Sequence, residues 1–230
     1  MSGIPLNVLK NSDFLAFLAM LALAMAVSWV PILHTPFSWM ETFFHEISHG
    51  LAALLTGGDV RAMRLELNGS GLCTVRGGVL FIIAFAGYAG AALWGGLIYL
   101  IADHVSARSA DRIAFAIAGL IAMTAIFWAR DPVTWLILAA IAVPFVVILI
   151  TKTLPGEREV IQFCGLYVLI NAIRAPLHLI DGSDRGDGAT LQQLTWVPEI
   201  VWVLIWMALG LATLVLLFRR HLKVAAVGPD

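Results

Sequence analysis

Met40-Glu-Thr-Phe-Phe-His45-Glu46-Ile-Ser-His49-Gly50-Leu-Ala-Ala-Leu-Leu-Thr56 is an apolar run broken by two histidines and a glutamate in the pattern His-Glu-x-x-His. On a helix, residues four apart lie on one face, so His45 and His49 can present their imidazoles to one ion with Glu46 beside them. Ionisable groups inside an apolar segment are costly to keep and tend to mark functional sites. Three of them within five residues call for one shared explanation. Independent placement of the chain's six histidines and six glutamates would produce the pattern in about one such chain in 250.

The rest of the chain supplies the apolar setting. Of 230 residues, 60% are hydrophobic and 13% charged, against about half and about a quarter in an ordinary soluble domain. That excess has to face lipid. Apolar segments run from about Phe14 to Leu33, Met40 to Thr56, Val79 to Ala102, Ile113 to Ala129, Val133 to Ile150, Val160 to Ile173 and Val197 to Phe218. Most approach the length of about 20 residues that spans a bilayer. None shows closed-barrel alternation, and backbone amides in hydrocarbon must pair within their own segment, so the runs read as helices. The expected fold is all-α: one integral membrane domain over residues 1–230, a polytopic bundle of about six to seven segments. Ala22, Ala24 and Ala26 imitate a signal-peptidase site, but the length of the first run and its weakly basic flanks favour a retained span.

Other classes are disfavoured. A formal net charge of -1 gives no basic field for nucleic acid. Cys73 and Cys164 are not in a Cys-x-x-Cys spacing, so they suggest neither a disulfide framework nor a thiolate metal site. Arg219, Arg220 and Lys223 after the last span place the C-terminus in the cytoplasm, consistent with a multi-pass protein of the cell membrane. Counting back puts Arg108, Arg112, Lys152 and Arg158 inside too, but leaves Arg61, Arg64 and Arg76 outside. That conflict eases if their segment is a re-entrant element.

Those three arginines belong to the connector Thr56–Gly78. Met63, Leu65 and Leu67 alternate with polar residues, Asn68-Gly-Ser-Gly71 makes a turn, and Leu72, Thr74 and Val75 resume, which predicts a hairpin. Its edge could accept a stretched peptide as an added strand. Small residues recur at Gly87, Gly90, Ala91, Gly95 and Gly96, a spacing expected to let helices pack closely.

Zinc suits His45 and His49, because imidazole nitrogen is a good ligand and a three-ligand site leaves a position open for water. The third donor has to come from elsewhere. The stretch Asn171–Thr190 gathers polar residues around Pro176, a helix breaker, and contains Asp181, Asp184 and Asp187 as candidates. Asn171, Arg174 and His178 share a helical face and could line a cavity or sit at the membrane interface. Glu41 could orient His45 or be an exposed acid in the first turn of its helix. His34, His104 and His221 fall in or near connectors, where solvation accounts for them.

The chain resembles the site-2 protease type of membrane zinc metalloprotease, which joins a His-Glu-x-x-His helix to a distant aspartate on a second helix. It looks most like the compact B-type subgroup: the His-Glu-x-x-His-Gly segment, Thr56-Gly57-Gly58 at the hairpin entry, and Asp187-Gly188-Ala189-Thr190-Leu191-Gln192-Gln193-Leu194-Thr195 followed by Pro198 and Trp202. This resemblance implies Asp187 as third ligand. A competing match to Asn-x-x-Pro-x-Pro-x-Leu-Asp-Gly uses Asn171, Pro176 and Ile180-Asp181-Gly182, but its spacing is two residues longer and Arg174 replaces the first proline. The implied activity is a zinc-dependent intramembrane endopeptidase acting on membrane-protein substrates, with Glu46 as general base and acid. A noncatalytic protein with a structural metal site, or a metal or ion transporter, are the alternatives. A transporter would be expected to carry internal repeats, and none is evident.

Overall fold

The computed structural model describes residues 12–105, 109–151, 156–180 and 185–227. These are mostly helical: α1 (Ser12–Trp29), α2 (Pro31–Leu55), α3 (Leu80–His104), α4 (Ala110–Phe127), α5 (Pro132–Thr151), α6 (Glu157–Arg174), α7 (Asp187–Thr195) and α8 (Glu199–Val227), with one small antiparallel sheet. Six helical segments of 18 to 28 residues are long and apolar enough to cross a membrane. At 1.5 Å per residue they measure about 27 to 42 Å, against about 30 Å of hydrocarbon. The protein is an integral membrane protein.

α2 is not one of the six. Its histidines, glutamates and hydroxyl residues dilute the apolar run. It also begins nine residues earlier than Met40, at Pro31, whose fixed φ and missing N–H suit a first helical position. The expected first run, Phe14 to Leu33, is therefore split at Val30. At the other end of the chain, α6 passes into a 3-10 turn over Ala175–Leu179, where Pro176 cannot continue the α-helical bonding. The polar stretch then yields α7, a short helix that apolar periodicity does not announce.

The bundle is closest where α3 crosses α6. A Cβ on Gly95 would lie 2.5 Å from the Leu169 nitrogen, and one on Gly165 2.7 Å from the Tyr99 nitrogen. α2 lies across this pair, with Phe44 against Trp94 and Phe37 against Tyr167 at centroid distances of 5.4 and 4.8 Å. α4 and α5 pack through Ile117, Ile121, Ile137 and Phe145.

α1 and α8 close the opposite side, where Phe14 meets Phe218 and Phe17 stacks on His221. His221 is thus buried in α8, bonded to the Tyr99 hydroxyl at 2.8 Å, and solvation does not account for it. Nearby, Asp103 of α3 accepts from Arg220 of α8 and Gln162 of α6. His34 belongs to α2 and bonds Tyr167 at 2.8 Å, whereas His104 is exposed at the end of α3, as expected.

The predicted hairpin is present as β1 (Asp59–Leu65) and β2 (Gly71–Arg76), with a bulge between Val60 and Ala62. Asn68 Oδ1 accepts from the Ser70 amide and hydroxyl, and Gly69, at φ 89°, completes the turn. One edge of the sheet is covered. Met63 N–H donates to the Trp128 carbonyl at 2.9 Å, and Leu65 N–H to Thr134 Oγ1 at 2.9 Å. Asp131 caps α5 by accepting from the Thr134 hydroxyl and amide, bonds that hold its carboxyl below the usual range. The outer edge of β2 has no strand partner among the described residues and runs along α2.

Gly95→Ala is expected to push α3 from α6 and lower stability by about 1–3 kcal/mol, read as a fall in Tm of the detergent-solubilised protein; an unchanged Tm would mean that the crossing is not tightly packed.

Candidate metal centre

His45 and His49 stand one turn apart on α2, and the first residue of α7 comes to meet them. His45 Nε2 is 2.9 Å from His49 Nε2. Asp187 Oδ2 is 3.1 Å from the first and 3.3 Å from the second. With metal–ligand bonds of about 2.0 Å, the edges of a tetrahedral site are about 3.3 Å; the two contacts to Asp187 come near that spacing, and the two imidazole nitrogens stand somewhat closer together.

The tautomer of His49 agrees. Its Nδ1 bonds the Ile83 carbonyl at 2.7 Å, which makes Nδ1 the N–H and leaves a lone pair on Nε2. A neutral His49 therefore points an electron pair, not a proton, at the common centre. Asp187 Oδ2 faces both Nε2 atoms and would supply the one anionic oxygen of the set. Two imidazole nitrogens and one carboxylate oxygen form a donor set that fits zinc.

Each donor is held by its element. α7 is anchored by Leu191, fully buried in a cluster with Ala84, Ala89 and Trp206, and by Gln192 Oε1, which accepts from the Glu199 amide at 2.7 Å. Gly186, at φ 93°, turns the chain into α7 and sets Asp187 at its start. α3 supplies the floor. A Cβ at Gly87 would fall 2.5 Å from His49 Cε1 and 2.6 Å from His45 Cε1, and one at Gly90 would strike Ser48. Tyr88 sets its ring edge against His45 at a centroid distance of 4.4 Å.

The small-residue run thus has two roles. Gly95 brings α3 close to α6, as its spacing suggests, while Gly87 and Gly90 make room for the site helix. Spacing announces close approach but not the helix approached. The Ile83 carbonyl has no sequence signal at all.

Glu46 is buried beside the donor set, where its carboxylate accepts from the Cys73 amide. β2 lies directly on it: a Cβ at Gly71 would be 2.6 Å from Glu46 Oε1. Burial of Cys73, with Glu46 nearby, pushes its thiol up to about 12, so no reactive thiolate adjoins the acid. The three ligand candidates and Glu46 line a cavity of about 800 Å³ that also reaches β2, Asn171, Arg174 and His178.

The face formed by Asn171, Arg174 and His178 meets the first of its two expectations. Its residues line the cavity, and Arg174 is also exposed, donating to Ser28 Oγ at 2.6 Å and lying over Trp29. Glu41 is not the exposed first-turn acid that a start at Met40 would make it. It sits in mid-helix and is 7% exposed. Asp181 and Asp184, like Arg108 and Lys152, lie outside the described residues.

A protein-family model described as Peptidase M50B-like matches residues 18–217, a span that contains the donor set, Glu46 and the hairpin. No curated protein and no solved structure matches the chain.

Gly87→Ala is expected to displace both imidazoles and weaken Co(II) binding at least tenfold, measured by titration of the metal-depleted protein in detergent; unaltered affinity would show that α3 does not set the ring positions.

Proposed function

The chain belongs to the Peptidase M50B-like family, and from that premise we propose that it is a zinc-dependent endopeptidase that hydrolyses peptide bonds in or near transmembrane segments of membrane proteins. The observation that carries the proposal is the convergence of His45, His49 and Asp187 next to a buried glutamate, in a cavity walled by an open strand edge. His45, His49 and Asp187 would hold the ion. When bound, zinc would acidify water and polarise the scissile carbonyl.

Glu46 serves as general base and then acid: it takes a proton from the attacking water and delivers it to the leaving amine. The Cys73 amide and Gly71 keep its carboxylate in place beside the donor set. A purely structural metal site would have no use for such an acid.

Substrate helices bury their carbonyls in intrahelical hydrogen bonds, so the segment to be cut must unwind first. The outer edge of β2 offers replacement partners. Gly71, Leu72, Cys73 and Val75 all line the cavity, so a peptide added to that edge would pass the donor set.

The C-terminus is assigned to the cytoplasmic side. Phe14 meets Phe218, and Asp103 joins Arg220 to Gln162, so the starts of α1 and α6 and the ends of α3 and α8 share one end of the bundle. Arg158, Arg219, Arg220 and Lys223 cluster there, as the positive-inside rule expects of a cytoplasmic end. On the hairpin, Arg61 and Arg64 pair with Asp59 and Glu66.

Purified protein is expected to cleave a model transmembrane substrate. Glu46→Gln should lower that rate by about 10²–10⁴ while bound zinc, measured by elemental analysis, persists. Cleavage by Glu46→Gln at the wild-type rate, or none by the zinc-loaded wild type on a panel of membrane segments, would overturn the proposal.

A further inference from the structure

A metal-bound imidazole normally gives its second N–H to an acceptor, which fixes both tautomer and ring orientation. His49 has that acceptor in the Ile83 carbonyl. His45 does not: all its hydrogen-bonding contacts run through Nε2, and no described residue accepts from its Nδ1.

A second group nearby is also incomplete. Glu41 is buried within α2, lines the same cavity, and has a fully buried oxygen, Oε1, without a hydrogen-bond partner among the described residues. Leaving such an atom unsatisfied costs roughly 1–3 kcal/mol. Glu41 stands four residues before His45, on the same face of the helix. Helical side chains lean toward the N-terminus, so the ring of residue 45 lies over the turn that contains residue 41.

We propose that Glu41 is the acceptor that orients His45, taking the Nδ1–H of its imidazole as the ion draws the ring into place. This inference rests on the zinc reading given above. In the arrangement described here the two side chains make no direct hydrogen bond. The rings must still move, because His45 and His49 stand 2.9 Å apart at Nε2, closer than the ~3.3 Å of neighbouring ligands around zinc. Glu41 touches neither the ion nor the reacting atoms. It is a positioning residue that keeps the lone pair of His45 on Nε2.

The test is Co(II) affinity of the full-length, metal-depleted protein in detergent, read from the visible absorption of the bound ion, with the Tm of each metal-free variant alongside. Glu41→Ala is expected to raise Kd by ten- to a hundredfold. Glu41→Gln keeps an acceptor oxygen at the same reach and should raise it only several-fold, with an unchanged metal-free Tm. Glu41→Asp keeps the charge but withdraws the acceptor, and should bind less well than Glu41→Gln. Wild-type affinity in both the Ala and Gln variants would overturn the inference. So would tighter binding by Glu41→Asp than by Glu41→Gln, which would mean that only the negative field matters. A wild-type protein that binds no Co(II) would instead remove the zinc reading itself.

Discussion

Two imidazoles and a carboxylate held within 3.3 Å of one another are expensive to keep inside an apolar bundle, and the surrounding elements are arranged around that expense. Taken singly, each group would face lipid or another polar atom at a loss. Together they satisfy one another, and the set is suited to a cation. Gly87 admits the rings, Ile83 fixes one tautomer, Leu191 pins the helix that brings Asp187, and the hairpin covers Glu46.

This demand explains why α2 differs from its neighbours. A helix with four ionisable residues in ten positions is a poor span, and α2 is not among the six segments apolar enough to cross. It lies against α3 and α6, and its ionisable residues line the cavity that β2 also borders. The sheet is asymmetric in the same sense. β1 is sealed by Trp128 and Thr134, and β2 is left open along the site helix. Arg174, at the end of α6, and His178, on the 3-10 turn that follows, also line the cavity.

Much of this was legible in the residues because it follows from short-range rules. Hydropathy locates the spans, alternation around Asn68-Gly69 locates the hairpin, and the four-residue spacing puts His45 and His49 on one face. The unread parts depend on long-range partners. The start of α2 was obscured because His34, Thr35 and Ser38 interrupt the apolar run, although Pro31 fits a helix start. α7 has nine residues and little periodicity. The burial of His221 depends on Tyr99, 122 positions away, and that of Glu41 on where its helix begins. Asp187 was singled out over Asp181 and Asp184 by family resemblance, and spacing alone left the three open.

Zinc K-edge X-ray absorption on the wild-type protein beside Asp181→Ala, Asp184→Ala and Asp187→Ala tests the central claim most directly. The expected spectrum has two imidazole nitrogens and light oxygen ligands around one zinc, altered or lost only in Asp187→Ala. A sulfur shell, the absence of zinc, or an Asp187→Ala spectrum identical to wild type would contradict it.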